Sequence, residues 1–180
     1  MYKAVQCDII LAGFGGQGIL FAGKVLAYLG LLKDKEVSWL PSYGPEMRGG
    51  TANCSVCIND EPIGFPQVNH PNMFIAMNQP SYEKFIDKVT PGGTVVIDST
   101  MVPNKCDRED VNVFYVPATQ LAQDNKVEGM ANIILLGKLI AETKIVDFDE
   151  AEKAIRKTVP SNRANLIEAN IKALEIGIYQ

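Results

Sequence analysis

Gly13, Gly15 and Gly18 stand in the stretch "GFGGQGILFAGKVLAYLG" at the spacing G-x-G-x-x-G, after an apolar run and before a helical one. In such a turn the first glycine permits the tight bend and the second lets backbone amides approach a ligand. The third allows the helix to pack closely on the strand, and the start of that helix attracts an anion. The features suit a phosphate, as in NAD or FAD. A dinucleotide site also needs an acid closing the second strand about 20 residues on, to take the ribose hydroxyls. Asp34 and Glu36 lie near that spacing, yet both precede the strand "VSWL", whose far end carries Pro41 and Ser42. Gly16 and Gln17 also depart from a minimal dinucleotide loop. Two readings stay open for these residues: a ligand turn, and a turn that only packs strand against helix.

The loop "PSYGPEMRGG" is the next candidate. Tyr43, Glu46 and Arg48 are large polar groups among Pro41, Gly44, Pro45, Gly49 and Gly50. Ligands of open α/β sheets bind beyond the carboxyl ends of strands, where this loop and the glycine turn should face each other. Arg48 offers a planar fork to phosphate or carboxylate, and Gly49 and Gly50 permit close approach. Local pairing of Arg48 with Glu46 is the competing reading.

Other chemistry finds less support. Cys54 and Cys57 have C-x-x-C spacing, but "TANCSVCIND" alternates like a half-buried strand, which sends the two thiols to opposite faces. With Cys7 and Cys106 they read as structural thiols, without the four convergent thiolates of an iron-sulfur cluster. His70, the lone histidine, sits in a loop. Asp98 ends the strand "TVVID" and reads as a cap for the following turn, and Asn78 with Gln79 occupies the equivalent place one strand over. There is no G-x-x-x-x-G-K-[ST] loop and no G-x-S-x-G elbow. No autonomous catalytic set emerges.

The elements that must position these groups follow from periodicity. "AVQCDIILAG" reads as a strand and residues 16–32 as a helix, with "EVSWL" a second strand parallel to the first because a helix intervenes. A strand at 51–59, the turn "NDEP" and the short "IGF" suggest a hairpin, hence a mixed sheet. Then come the strand "MFIAMN", the helix "PSYEKFIDKV", and the strands "TVVIDST" and "VNVFYVPA". Three helices close the chain, at about 127–142, 149–158 and 163–178, with Asp147 or Asp149 capping the second. The fold class is α/β: a single three-layer, Rossmann-like domain over 1–180, with a mostly parallel, mixed sheet and a helical C-terminus.

Composition bounds the partners. The chain has 180 residues, 17 basic and 21 acidic, for a net charge of −4. No cluster of Lys or Arg is dense enough to follow a nucleic-acid backbone. No stretch of eighteen apolar residues or leader pattern stands out, so a cytoplasmic protein without membrane contact is expected.

Together, "GFGGQGILFAGKVLA" and "PSYGPEMRGGTANCSVCI" resemble the gamma subunit of the 2-oxoacid:ferredoxin (or other acceptor) oxidoreductases. That group includes the 2-oxoglutarate, branched-chain 2-oxoacid (ketoisovalerate), indolepyruvate and pyruvate enzymes. "PNMFIAMNQPSYEKF", "GGTVVIDS", Asn132 with Gly137, and Asn170, Ala173 and Gly177 are similar to the family's later blocks, so the likeness covers essentially the whole chain. The resemblance implies a subunit of a complex that oxidatively decarboxylates a 2-oxoacid to an acyl-coenzyme A. Thiamine diphosphate, Mg and iron-sulfur clusters would lie on partner subunits, with ferredoxin an indirect partner and coenzyme A a co-substrate. It places Gly13, Gly15, Gly16, Gln17, Gly18 and Arg48 toward a coenzyme A phosphate or a subunit contact. Tyr43, Gly44, Glu46, Gly49 and Gly50 fall to a subunit interface, and no catalytic residue or metal ligand falls on this chain. The block from Asn78 to Phe85 leans to 2-oxoglutarate. An exposed partner-binding face could also pair the isolated chain with itself as a homodimer. The rival reading is a free-standing NAD(P)- or FAD-binding oxidoreductase domain.

Overall fold

The computed structural model describes residues 6–42 and 51–180. Six strands form one sheet: β1 (Gln6–Phe14), β2 (Glu36–Ser42), β3 (Thr51–Asn59), β4 (Met73–Ala76), β5 (Thr94–Asp98) and β6 (Asn112–Val116). Their order across the sheet is β2-β3-β1-β4-β5-β6. β1, β4, β5 and β6 pair in parallel, while β3 lies antiparallel between β1 and β2.

Side chains alternate between two cores, as the period of a strand requires. Cys7, Ile9 and Leu11 enter one core, Ile10 and Ala12 the other. The larger core lies beneath α1 (Ile19–Leu32), α3 (Ala118–Asp124), α4 (Ala131–Thr143), α5 (Phe148–Thr158) and α6 (Ile167–Ile178). The smaller lies beneath α2 (Gln79–Phe85) and the 3-10 turn Ile86–Lys88 that continues it. These are the three layers the alternating pattern predicts.

The sheet order departs from the sequence reading. β2 runs in the same direction as β1, since both are antiparallel to β3, but it does not pair with β1. The intervening helix α1 fixes direction, whereas adjacency is decided by β3, which inserts along the full length of β1 from Gln6↔Asn59 to Phe14↔Thr51. The sheet is mixed for that reason. The hairpin expected from "IGF" does not form, for residues 63–65 carry no strand. Instead the crossing segment lays Val68 on β3, its N–H donating to Ser55 Oγ at 3.3 Å. β2 also extends through Pro41 and Ser42, which the sequence reading gave to the loop. An edge strand tolerates proline because its outward N–H needs no partner.

Helix ends follow local chemistry. Asp147 caps α5 in a capping box, accepting from Glu150 N at 2.9 Å while Glu150 Oε2 accepts from Asp147 N at 3.1 Å. Lys33, just past α1, pairs with the same Glu150 at 3.1 Å and ties the bottoms of the two helices together. α3 is an additional helix, and the last predicted helix splits into the 3-10 segment Ser161–Leu166 and α6. α4 and α6 cross at Gly137 and Gly177. A Cβ on Gly177 would stand 1.8 Å from the Ile134 carbonyl oxygen, and one on Gly137 2.3 Å from that of Leu174.

Candidate functional site

The chain leaves β1 toward β2 on one side and returns to β4 on the other, so the strand order reverses between β1 and β4. Ligands of such sheets bind at the carboxyl ends of the strands flanking that reversal. The glycine turn lies there. Gly13 is the penultimate residue of β1, paired with Ala52, and so does not make the bend itself. It must be glycine for space: a Cβ would meet Gln17 Oε1 at 2.6 Å and Met77 Cβ at 2.9 Å. The bend falls on Gly15 and Gly16, both exposed, and on Gly18, the N-cap of α1. Gly16 has φ 97° and Gly18 φ 74°, a left-handed backbone that glycine adopts without strain.

Gln17 holds this turn in place. Its Oε1 accepts from Phe14 N at 2.6 Å, and its Nε2 donates to the Met77 carbonyl at 3.2 Å. One side chain therefore bridges the ends of β1 and β4. Asn132, in the first turn of α4, donates from Nδ2 to the Gly18 carbonyl at 2.9 Å. Asn132 is 4% exposed, and its Oδ1 has no hydrogen-bond partner. No motif in the sequence points to that contact, which spans 114 residues.

Four helices begin at this end of the sheet, α1, α2, α3 and α4, and none carries an acid in its first turn. α5 and α6 carry Asp149, Glu150 and Glu168 in theirs. Since acids near helix starts are stabilising, their absence from the first four leaves a field open to an external anion.

The neighbouring polar groups serve the fold. Asp98 is fully buried, accepting from Thr119 Oγ1 at 2.5 Å and Thr100 N at 3.1 Å, so it caps the following turn as its position suggested. Asn78 caps α2, accepting from Ser81 N at 2.8 Å. His70 lies exposed in the loop before β4. Cys54 joins the larger core and Cys57 the smaller, on opposite faces as the strand period required. Burial pushes the Cys54 thiol up to about 12 and, with Asp8 nearby, those of Cys7 and Cys57 up to about 11. None is poised as a thiolate.

The loop residues Tyr43, Gly44, Glu46, Arg48, Gly49 and Gly50 lie outside the described residues. Its anchors, however, are placed. Ser42 pairs with Asn53, and Thr51 pairs with Phe14, the residue immediately before the glycine turn. Both ends of the segment are thus held at the carboxyl end of β1.

This geometry is at odds with a dinucleotide. Glu36 opens β2 and Asp34 precedes it, so both acids sit at the end of the sheet opposite the glycine turn. The strand that should carry the ribose acid is separated from β1 by β3. What remains is an open α/β domain with a pinned glycine turn at its switch point and, among the described residues, no acid placed as a ribose arm.

Comparison with known proteins names that class. Residues 8–180 match the family described as pyruvate ferredoxin/flavodoxin oxidoreductase, and the chain belongs to it. The 2-oxoglutarate synthase subunit KorC of Methanocaldococcus jannaschii is 40% identical over 173 residues, covering 94% of this chain and 91% of that subunit. The keto/oxoacid ferredoxin oxidoreductase gamma subunit from Geobacter sulfurreducens superposes with a TM-score of 0.82 at 28% identity, covering 96% of each chain. The 2-oxoglutarate:ferredoxin oxidoreductase of Magnetococcus marinus, solved with 2-oxoglutarate, coenzyme A and succinyl-CoA, gives 0.84 at 25% identity. There the match covers 97% of this chain but 30% of the other, so the same fold forms part of a longer polypeptide.

Proposed function

We propose that the chain is the gamma-type subunit of a cytoplasmic 2-oxoacid:ferredoxin oxidoreductase acting on 2-oxoglutarate. It provides an assembly surface and one wall of the approach taken by coenzyme A. The carrying observation is the likeness to KorC across nearly the full length of both chains. The geometry agrees with a supporting role, since the polar groups at the switch point are engaged in holding backbone rather than poised for proton transfer.

The carbon and electron chemistry belongs to thiamine diphosphate with Mg and to iron-sulfur clusters, which we assign to partner subunits. The residues of this chain do not fit a cluster. Cys54 and Cys57 are buried on opposite faces, and burial is the main cause that holds Cys7, Cys54 and Cys57 in the thiol form. Among the described residues no group of three or more His, Cys, Asp or Glu could hold a metal ion. No helix among them is long and apolar enough to cross a membrane.

This chain's contribution is to present amide donors. Gln17 fixes the bend, Gly15 and Gly16 are exposed, and α1 starts without a side-chain cap. Arg48, on the segment anchored by Ser42 and Thr51, is the cation we assign to a coenzyme A phosphate or a subunit contact. Arg48→Ala in the reconstituted complex tests both parts. A raised Michaelis constant for coenzyme A, or weakened assembly, is expected; no change in either removes the proposal. Acyl-CoA formation across several 2-oxoacids tests the substrate, with 2-oxoglutarate expected to be preferred.

A further inference from the structure

Gln6 opens β1 and Met73 opens β4 at the end of the sheet opposite the glycine turn, and a cavity of about 1150 Å³ lies beside them. Small-molecule pockets run to about 1,000 Å³, so the space is ample for a ligand. Its floor is apolar. Cys7, Leu29 and Ile58 are buried there, while Met73 and, on the connection from α4 to α5, Ile145 and Val146 are half-buried against the same core. Burial, with Asp8 and Asp60 nearby, pushes the Cys7 thiol up to about 11, so it adds no charge at neutral pH. The polar groups between these side chains are engaged by the fold. Asn72 donates to the Gln6 carbonyl at 2.7 Å and accepts from Asp8 N at 3.0 Å, and Thr143 donates to the Leu139 carbonyl at 2.6 Å. Water on this floor finds few partners, and an apolar group that displaces it gains affinity.

The rim is cationic. Lys33, Lys35 and Lys144 line the cavity and meet two carboxylates, Glu150 on Lys33 at 3.1 Å and Asp60 on Lys35. Lys144 has no salt bridge among the described residues, so one positive charge is left over at this rim in a chain whose net charge is −4. We propose that the cavity binds an amphipathic carboxylate, its acyl chain on the floor beside Leu29, Ile58 and Val146 and its carboxylate on Lys144. The two existing ion pairs are partly exposed, and such pairs hold weakly, so Lys33 and Lys35 can also turn to the ligand. A bare anion would leave the floor wet, and an uncharged chain would leave Lys144 without a counter-charge. The length of β1 separates this site from the glycine turn, and it does not depend on the coenzyme A reading.

Methyl-resolved NMR of the full chain, titrated with octanoate, tests it. The methyls of Leu29, Ile58, Ile145 and Val146 are expected to shift along one saturation curve, with a dissociation constant on the order of 1 mM for so small a ligand. Octan-1-ol, which lacks the charge, should bind about fivefold more weakly at low ionic strength, and acetate, which lacks the chain, should not saturate in that range. Lys144 ends α4 at φ 53°, a left-handed backbone that suits glycine, so Lys144→Gly removes the cation and keeps the fold. That variant should bind octanoate about threefold more weakly and octan-1-ol unchanged. Equal binding of octanoate and octan-1-ol, unchanged octanoate binding in Lys144→Gly, or shifts confined to other methyls would overturn the proposal. Loss of octanoate binding in the reconstituted complex would overturn it too, giving the cavity to a partner segment instead.

Discussion

Gly177→Ala is the sharpest test of the packing that carries the site. The new Cβ would lie 1.8 Å from the Ile134 carbonyl oxygen, 2.7 Å from its carbon and 3.0 Å from Lys138 N. All three are backbone atoms of α4, so no side chain can rotate away. Restoring an ordinary carbon–oxygen contact of about 3.3 Å requires the helices to part locally by roughly 1.5 Å. A gap of that order forfeits half or more of the attraction between atoms along the seam, where Ile133, Leu136, Ala173 and Leu174 are buried. Overpacking of this kind costs about 1–3 kcal/mol and occasionally more. Alanine returns about 1 kcal/mol of helix propensity. Because the clash is backbone on backbone, the cost falls at the upper end, about 3 kcal/mol, and the net loss expected is about 2 kcal/mol. For a domain of this size that lowers Tm by roughly 4–8 °C. Urea unfolding followed by far-ultraviolet circular dichroism measures it. An unchanged midpoint, or a gain near the propensity term, would refute the close crossing. Because α4 also carries Asn132, amide exchange at the start of α1 should quicken in the same variant.

Other perturbations have separate signatures. Gln17→Ala removes the bridge between Phe14 N and the Met77 carbonyl and should cost about 1–3 kcal/mol, read as faster exchange of the Phe14 amide. Gln17→Glu keeps an acceptor but no donor, and should restore only the Phe14 contact. Asp147→Ala removes the α5 cap and should cost about 1 kcal/mol in the same urea assay, with Asp147→Ser recovering most of it. Cys7, Cys54 and Cys57 are raised from 9.0 to about 11, 12 and 11, so the folded chain holds these protons longer than the unfolded one. Their contribution to stability is therefore intact below pH 9 and lost as pH rises from 9 toward 12. Urea midpoints across that range should fall, and Cys54→Ala should flatten the decline.

Much of this was legible in local pattern. The glycine spacing placed the turn, strand periodicity separated Cys54 from Cys57, and Asp147, one of two candidate caps, marked the start of α5. Strand order was not legible, because the insertion of β3 beside β1 depends on pairing between distant segments rather than on the helix that links β1 to β2. α3 has only seven residues and few apolar ones, too little periodicity to stand out; its signal is the bond from Thr119 to Asp98, visible only in three dimensions. The same holds for Asn132. Its type and position name no role until α4 is laid against Gly18. The sequence motif therefore marks the glycine turn, and tertiary packing supplies the contact that holds its last residue.

The double tether on Gln17 also bears on how fast anything can dock here. A turn bonded at once to β1 and β4, with α4 resting on its last glycine, has little freedom left to surrender when a ligand or subunit arrives. The ordering entropy of association falls mainly on the incoming group. Encounter at the glycine turn should then be governed by collision and orientation, without a prior ordering of that turn.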